Sequence, residues 1–485
     1  MIVRIAWKTL AAHPVRTAVL GVGFGLGVAV MATLLGVGEV VLEQARAPVL
    51  SGGGDLVVSG LTGPITSARF VLGTVLKSPV PAGGDVMASP RRRADLFLVR
   101  PGSVVPVHAR GGIPSLERAL NDPETAGIAS WLDAREDAAW SSPDPGDVLR
   151  AMDRFHAVPD VPARVPSWAE WLYFKGQTGE TQFYVTFLVG PKRPDGRRAA
   201  GVRLQVDRRG RVTTYSGGDA LDEGPLLAAA PDMSIGRSRV RLEGLRYHVT
   251  LDLPPDRAGS DAALPARSRF SSAERSATEA TRSRNGATGE IFIDAIPGRS
   301  LAPLVIRGGG GWVSGYAVPV MFGTLAGWLS AGGERVTLSG TGYHDHNWGF
   351  WRGVSWRWGQ VQHERLSYLY GRIYPPGDAA DPERVPGVLV ALGPDGPVGY
   401  ATRVRIQETD DPSTGRPGRI VVEGRSGTLD LKMDIAVEGA VVTRGPVASG
   451  PDFLQLRARY HVTGRAGGQP IDFNAAGAAE TFRGR

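Results

Sequence analysis

From Trp168 to the C-terminus, short runs of β-branched and aromatic residues recur roughly every 8 to 15 residues, with Gly, Pro and Asp between them. The runs cover 182–189, 202–206, 211–215, 240–242 and 247–253. After a break they resume at 315–321, 335–339, 354–362, 367–374, 387–392, 401–407, 419–423, 429–437, 454–461 and 471–475. Strands this short, with turn residues between them, argue for an antiparallel sandwich or barrel and against βαβ units. Residues 256–289 are rich in Ser, Ala, Arg and Gly and nearly free of aliphatic side chains, which predicts a mobile loop.

A chain of 485 residues is too long for one compact core, so several domains are expected. The 66 glycines and 36 prolines suit turn-rich β structure. The net charge of +7 raises the question of nucleic acid, but basic residues are scattered among acidic ones. No run pairs them with aromatics as a strand-binding groove would, so no nucleic-acid partner is expected. With no cysteine, disulfides, thiolate metal sites and cysteine nucleophiles are excluded.

The N-terminus carries a different signal. Between Arg16 and Glu39 lie 22 uncharged residues, and a helix of that length rises about 33 Å, enough to cross a hydrocarbon core. Arg4, Lys8 and Arg16 precede it and Glu39 and Glu43 follow it, so the positive-inside bias puts the N-terminus in the cytoplasm and the rest outside. A signal peptide cut after Ala45-Arg46-Ala47 is the rival reading. Pro48 after the cut and the length of the apolar run favour an uncleaved anchor in the inner membrane. The Arg4–Leu42 segment, with Gly54 to Val58 after it, resembles the first membrane helix of MacB/FtsX-type exporter permeases, which implies an ABC exporter as a possible partner. No later window stays uncharged long enough to span, so a complete transporter is excluded.

Two clusters carry most of the information: Trp168-Ala169-Glu170-Trp171-Leu172-Tyr173-Phe174-Lys175-Gly176, and Gly342-Tyr343-His344-Asp345-His346-Asn347-Trp348-Gly349. The second runs into Trp351, Trp356 and Trp358, so four of eleven tryptophans and two of eight histidines fall within sixteen residues. On a strand, Trp356, Trp358, Gln360 and Gln362 share one face, and Tyr368, Tyr370, Arg372 and Tyr374 share another. Two such faces meeting across a hairpin would build an aromatic wall with polar handles, the lining of an apolar-ligand pocket. The bland alternative is an ordinary aromatic core, in which Gln360, Gln362 and Arg372 would need buried partners.

These clusters resemble the motifs of the AttH-like and carotenoid 1,2-hydratase (hydroxyneurosporene synthase) family. Glu170, Trp171, Tyr173, Phe174 and Gly176 match its E-W-W-Y-F-x-G opening, with Leu172 replacing the second Trp. Asp345, His346, Trp348 and Gly349 match its W-x-D-H-x-W-G, with Tyr343 replacing the leading Trp. The resemblance spans about residues 166–485 and implies a mainly β fold of two lipocalin-like antiparallel β-barrels. With the N-terminal reading, the expected organisation is a cytoplasmic segment (1–16), a transmembrane helix (17–42) and a linking α+β region (43–165). The first barrel would then take 166–352 and the second 353–485. Within the linking region, 56–58 and 97–99 read as strands and 115–155 as short helices.

Three chemical readings follow. In the first, a lipocalin-like barrel binds a lipid or isoprenoid-like molecule through Trp171, Tyr173, Trp348, Trp351, Trp356, Trp358, Gln360, Tyr368, Tyr370 and Arg372, and the Asp345-His346 turn ties the barrels together. In the second, implied by the hydratase resemblance, the protein is a cofactor-independent alkene hydratase, isomerase or cyclase. There Asp345 is the proton donor, His344 and His346 orient it, and Tyr343, Trp348 and Trp356 face a carbocation. In the third, His344 and His346 share a face and bind a metal with His363 or Glu364, although His-x-His alone is weak evidence. The working expectation is the binding protein, without cofactor or metal, and catalysis is the alternative. His13, His108, His156, His248 and His461 read as isolated surface or packed residues. No G-x-S-x-G elbow is present, and Gly308–Gly311 lacks the Lys-Ser/Thr of a phosphate loop.

Overall fold

The computed structural model describes residues 86–100, 103–122, 130–141, 143–254, 285–394, 396–444 and 452–483. Shorter stretches at 11–15, 17–19, 56–58 and 68–76 and a few single positions complete it. Most of the 17–42 segment and of the 256–289 loop lies outside the described residues. Among the described residues no helix is long and apolar enough to cross a membrane. Two compact units are present, one formed by residues 1–60 and 78–141, the other by 61–77 and 142–485.

The first unit contains a hairpin, β1 (Arg91–Arg100) against β2 (Ser103–Gly112), and the short helix Pro114–Ala119. Two fully buried carboxylates, Glu117 and Asp122, anchor it. Arg110 donates to Glu117 at 2.7 Å and Arg91 to Asp122 at 2.7 Å, and Arg110 also reaches Asp122. Carboxylates taken out of water are tolerated only when cations and donors replace it, and the two guanidiniums do so. Leu56–Val58, read as a strand, has no regular secondary structure.

The second unit is mainly β. Its first sheet holds β3 (Trp168–Thr178), β4 (Thr181–Lys192), β5 (Arg198–Arg208), β6 (Arg211–Leu221), β7 (Met233–Ile235), β8 (Ser238–Glu243) and β9 (Arg246–Leu253). It continues with β10 (Ala287–Ala295), β11 (Leu301–Arg307), β12 (Val313–Ala331) and β13 (Glu334–Phe350). The order is β6-β5-β4-β3-β13-β12-β10-β9-β8-β7, with β11 also on β12, and the sheet is a nearly closed barrel. Near its two ends the Gly236 amide donates to the Asp219 carboxylate at 3.3 Å.

The chain then turns at Gly353, whose φ of +71° favours glycine. It enters a second sheet of β14 (Ser355–His363), β15 (Leu366–Tyr374), β16 (Val388–Gly393), β17 (Gly396–Ala401), β18 (Val404–Asp411), β19 (Arg416–Arg425), β20 (Leu429–Arg444), β21 (Asp452–Ala466) and β22 (Gln469–Arg483). Its order, β17-β16-β15-β14-β22-β21-β20-β19-β18, makes a half-barrel.

Among the described residues three apolar clusters result. One fills the first barrel with Leu172, Phe174, Phe183, Phe187, Tyr247 and Trp348, among others. Leu149 and Met152 of the helix Pro145–Met152 join it, and that helix is started by Asp144, whose carboxylate accepts from the Gly146 and Asp147 amides. A second lies inside the half-barrel around Tyr368, Tyr370, Met433 and Tyr460. The third lies between the two sheets and includes Tyr173, Tyr184, Tyr343, Trp358, Leu369 and Val390.

Several strands escaped the sequence pattern, among them β2, β7, β10, β11 and β17. β10 begins at Ala287, inside the segment read as loop. The second motif is not a turn. Gly342–Gly349 belongs to β13, paired with β3 on one side and β12 on the other. Gly315 and Trp348 are register partners, and a Cβ at Gly315 would lie 2.0 Å from Trp348 Cε2. Gly315→Ala is therefore expected to lower stability by about 1–3 kcal/mol through overpacking, measured by urea unfolding. An unchanged midpoint would show that the Trp348 ring is free to move.

Candidate functional site

Side chains of a strand alternate between its faces, and here the alternation separates the residues of one motif into two environments. β3 and β13 pair Glu170 with Trp348, Leu172 with His346 and Phe174 with His344, while Tyr173 pairs with Asp345 and Lys175 with Tyr343. The even-numbered set points into the first barrel and the odd-numbered set into the layer between the sheets. His344 and His346 therefore cannot orient or reprotonate Asp345 as the sequence reading supposed. Trp348 is likewise removed from it.

Inside the barrel, His344 and His346 are completely buried. His344 Nδ1 donates to the Tyr173 carbonyl oxygen at 3.0 Å, and its Nε2 lies 2.8 Å from Asp153 Oδ2. Tyr247 donates to the same oxygen at 2.5 Å, and the His344 ring stacks on Phe174 with centroids 4.2 Å apart. His346 Nε2 is 3.0 Å from Glu170 Oε1, and its Nδ1 faces Asp153 Oδ1 at 3.5 Å. His156 Nδ1 completes the group, 2.7 Å from Glu170 Oε1, with its ring stacked on Trp348 at 4.4 Å. His156, read from the sequence as isolated, is thus part of a buried network.

Burial by itself would raise Asp153 and Glu170, but facing histidines outweigh it: His344 and His346 hold Asp153 well below the usual carboxylate range, and His156 and His346 lower Glu170. For His346, burial opposes charge, but the facing Asp153 and Glu170 carboxylates prevail and push it up to about 9. Arg198, fully buried, donates to the Gly190 and His156 carbonyls at 2.9 and 3.0 Å.

Between the sheets the arrangement is different. Asp345 is buried and accepts from the Tyr343 hydroxyl and the Asn347 amide, both at 2.8 Å. The Tyr343 and Tyr316 hydroxyls are 2.9 Å apart, and the Trp358 indole donates to Tyr316 at 2.9 Å. Lys175 donates to Gln360 Oε1 at 3.3 Å, and Gln455 donates to the Tyr173 hydroxyl at 3.3 Å. Glu480 on β22 is the register partner of Trp358.

Burial and the neighbouring Glu480 charge raise Asp345 well above its ordinary value. Burial pushes Glu480 up to about 7 and Lys175 down to about 8, the latter partly offset by Glu480. Trp171, Trp351 and Trp356 form an aromatic edge to this layer, with Trp171 and Trp351 at 4.6 Å and Trp356 stacked on Phe482 at 4.1 Å.

The predicted ligand-binding residues are therefore divided. Trp171, Tyr173, Trp351, Trp356, Trp358 and Gln360 border the layer between the sheets. Tyr368 and Tyr370 instead pack inside the half-barrel, and Trp348 inside the first barrel. Arg372 turns away to donate to the Pro382 and Glu383 carbonyls at 3.2 and 3.1 Å. The reason is register. The β14–β15 hairpin pairs His363 with Leu366, so even-numbered residues on β14 share a face with odd-numbered ones on β15, and Gln360 neighbours Leu369 rather than Tyr370. His363 stacks on Phe473 and lies 3.7 Å from Glu364, so neither joins His344 and His346 in the suggested metal set. Asp153, Lys175, Tyr184, Tyr316, Gln455 and Glu480 were not singled out from the sequence. Only Lys175 lay inside a recognised motif, at the position where any residue is allowed.

No family model matches the chain, and no curated protein matches it. Among solved structures, it is similar to a protein of Nitrosomonas europaea described as AttH, at 14% identity over 65% of this chain and 92% of that one, TM-score 0.42. It is also similar to CghA solved with Sch210972, at 13% identity over 68% of this chain and 94% of that one, TM-score 0.43. CghA solved by itself gives 13% identity over 68% and 93%, TM-score 0.43.

Because Glu480 is raised from 4.5 to about 7, the native state retains a proton there that the unfolded chain gives up. That contribution is full below pH 4.5 and is lost as pH rises through about 7. Glu480→Gln is expected to flatten the fall in stability across this window, followed by urea denaturation at successive pH values. A variant with the parent slope would place the titration elsewhere.

Proposed function

We propose that this protein binds a hydrophobic molecule with a small polar group, lipid-like or isoprenoid-like, in the layer between its two sheets. The observation that supports the reading most is the burial there of Asp345 and Lys175, with Glu480 beside them. A layer that only glued two sheets together would gain nothing from ionisable groups, since each costs free energy when removed from water without full compensation. The surrounding Tyr173, Tyr343, Trp356 and Trp358 supply broad apolar surface, and the charged groups supply orientation. In the same reading the 17–42 segment, uncharged from 17 to 38, anchors the protein in the inner membrane with its β domains outside, close to a source of such molecules.

The test is extraction of the purified full-length chain and mass spectrometry of what is released, followed by fluorescence titration of the stripped protein with fatty acids and isoprenoid alcohols. A defined apolar molecule should be recovered, and Trp358→Ala should weaken binding by tenfold or more. Recovery of nothing apolar, together with no saturable quenching by any of these probes, would overturn the proposal.

A second reading is favoured by one observation. Asp345 is buried, held by side chains rather than by the backbone, and burial and the Glu480 charge raise its pKa well above its ordinary value. A carboxylic acid kept protonated near neutral pH is what protonation of an alkene requires. Tyr343 and Trp356, unlike Trp348, remain on its side to face a cation. In this reading Asp345→Asn abolishes hydration or isomerisation of an isoprenoid alkene and leaves ligand retention nearly intact, both followed by chromatography of the products. A fully active variant would remove Asp345 from the chemistry.

A further inference from the structure

The network inside the first barrel is separate from the layer between the sheets, and its composition points to a different ligand. His156, Glu170 and His346 come from three segments of the chain, yet one ligating atom of each lies within 4.8 Å of the other two. We propose that these three side chains form a binding site for a divalent transition-metal ion, of the kind that takes two imidazoles and one carboxylate.

Four features of the geometry support this. The donor set, two imidazole nitrogens and a carboxylate oxygen, suits zinc or its first-row neighbours and not calcium or magnesium, which take oxygen ligands. The spacing is close to that of a tetrahedral site. Nε2 of His346 and Nδ1 of His156 lie 3.0 and 2.7 Å from Glu170 Oε1. Bonds of about 2.0–2.1 Å would set ligand atoms about 3.4 Å apart, so the two carboxylate–imidazole edges need to open by under ~1 Å and the imidazole–imidazole edge, within 4.8 Å, to close by at most about 1.4 Å.

The second shell is also in place. His346 Nδ1 faces the Asp153 carboxylate at 3.5 Å, and neither that nitrogen nor Asp153 Oδ1 has a hydrogen-bond partner. This is the carboxylate–histidine–metal arrangement that fixes a ligating ring. Asp153 is itself held by Tyr247 and His344, and the His156 backbone amide holds both Glu170 oxygens at 3.0 Å. Finally, Glu170 and His346 are completely buried whereas the His156 side chain is 34% exposed, so an ion would meet a fixed wall and an open side. That open side leaves a coordination position for water or an added ligand.

The experiment is titration of the chelator-treated full-length chain with Co2+, whose tetrahedral complexes absorb strongly in the visible. The expected result is one equivalent bound, with the bands abolished by Zn2+. Asp153→Asn should weaken binding by about 10–100-fold, as removal of outer-shell carboxylates does. Glu170→Gln should abolish it. Because Glu170 is buried in the core, His156→Asn at the open side is the decisive variant. With circular dichroism unchanged, it should lose at least tenfold in affinity. Absence of saturable Co2+ binding to the folded chain, or parent affinity in His156→Asn, overturns the proposal.

Discussion

The pairing of β3 with β13 is the constraint on which the rest of the molecule depends. These two strands form a wall with a first-barrel interior on one side and a second sheet on the other, so every residue along them is assigned to one or the other by the two-residue pleat. Ten consecutive register pairs, from Thr341 with Gln177 to Phe350 with Trp168, hold that assignment. A slip by one residue would carry His344, His346 and Glu170 into the layer between the sheets and Asp345 into the barrel. Each would then lose the partners that make its burial tolerable.

Polar groups on the two faces are satisfied by different means. In the barrel, carboxylates face imidazoles: Asp153 and Glu170 meet His344, His346 and His156, with Arg198 behind them. The mutual attraction lowers the acids and raises His346, so the charged forms of these three are favoured in spite of burial. Between the sheets, Asp345 meets hydroxyls and an amide and has another acid, Glu480, as its nearby charge, so desolvation prevails and its neutral form is favoured. One sequence of eight residues thus feeds an ionic network and a weakly ionised one, divided by a single strand.

The reach of the sequence reading can be followed residue by residue. The strand runs at 182–189, 247–253 and 454–461 were legible because alternation and β-branched composition persist through β4, β9 and β21. β10 was not, since Ala287-Thr288-Gly289-Glu290 opens it with small and polar residues after a Ser/Arg-rich stretch. Trp358 and Asp345 were marked and both border the layer between the sheets, but Tyr370 was set beside Gln360 on a face that the two-residue turn at Glu364-Arg365 denies it. Asp153 and Glu480 gave no local signal. One follows a short helix near residue 152 and the other lies in the last strand, and His344 and Trp358, which face them, are each more than 100 residues away.

The amino-acid order alone was enough to dictate a mainly β, antiparallel chain after residue 166, because hydrophobic period and turn chemistry are properties of neighbouring residues. It also determined that Asp345 lies on the opposite strand face from His344 and His346, once the segment is known to be a strand. What only tertiary structure decided is which face meets which environment, and hence which carboxylate is charged. Those outcomes depend on desolvation and on partners brought from distant segments, and neither is encoded in local spacing.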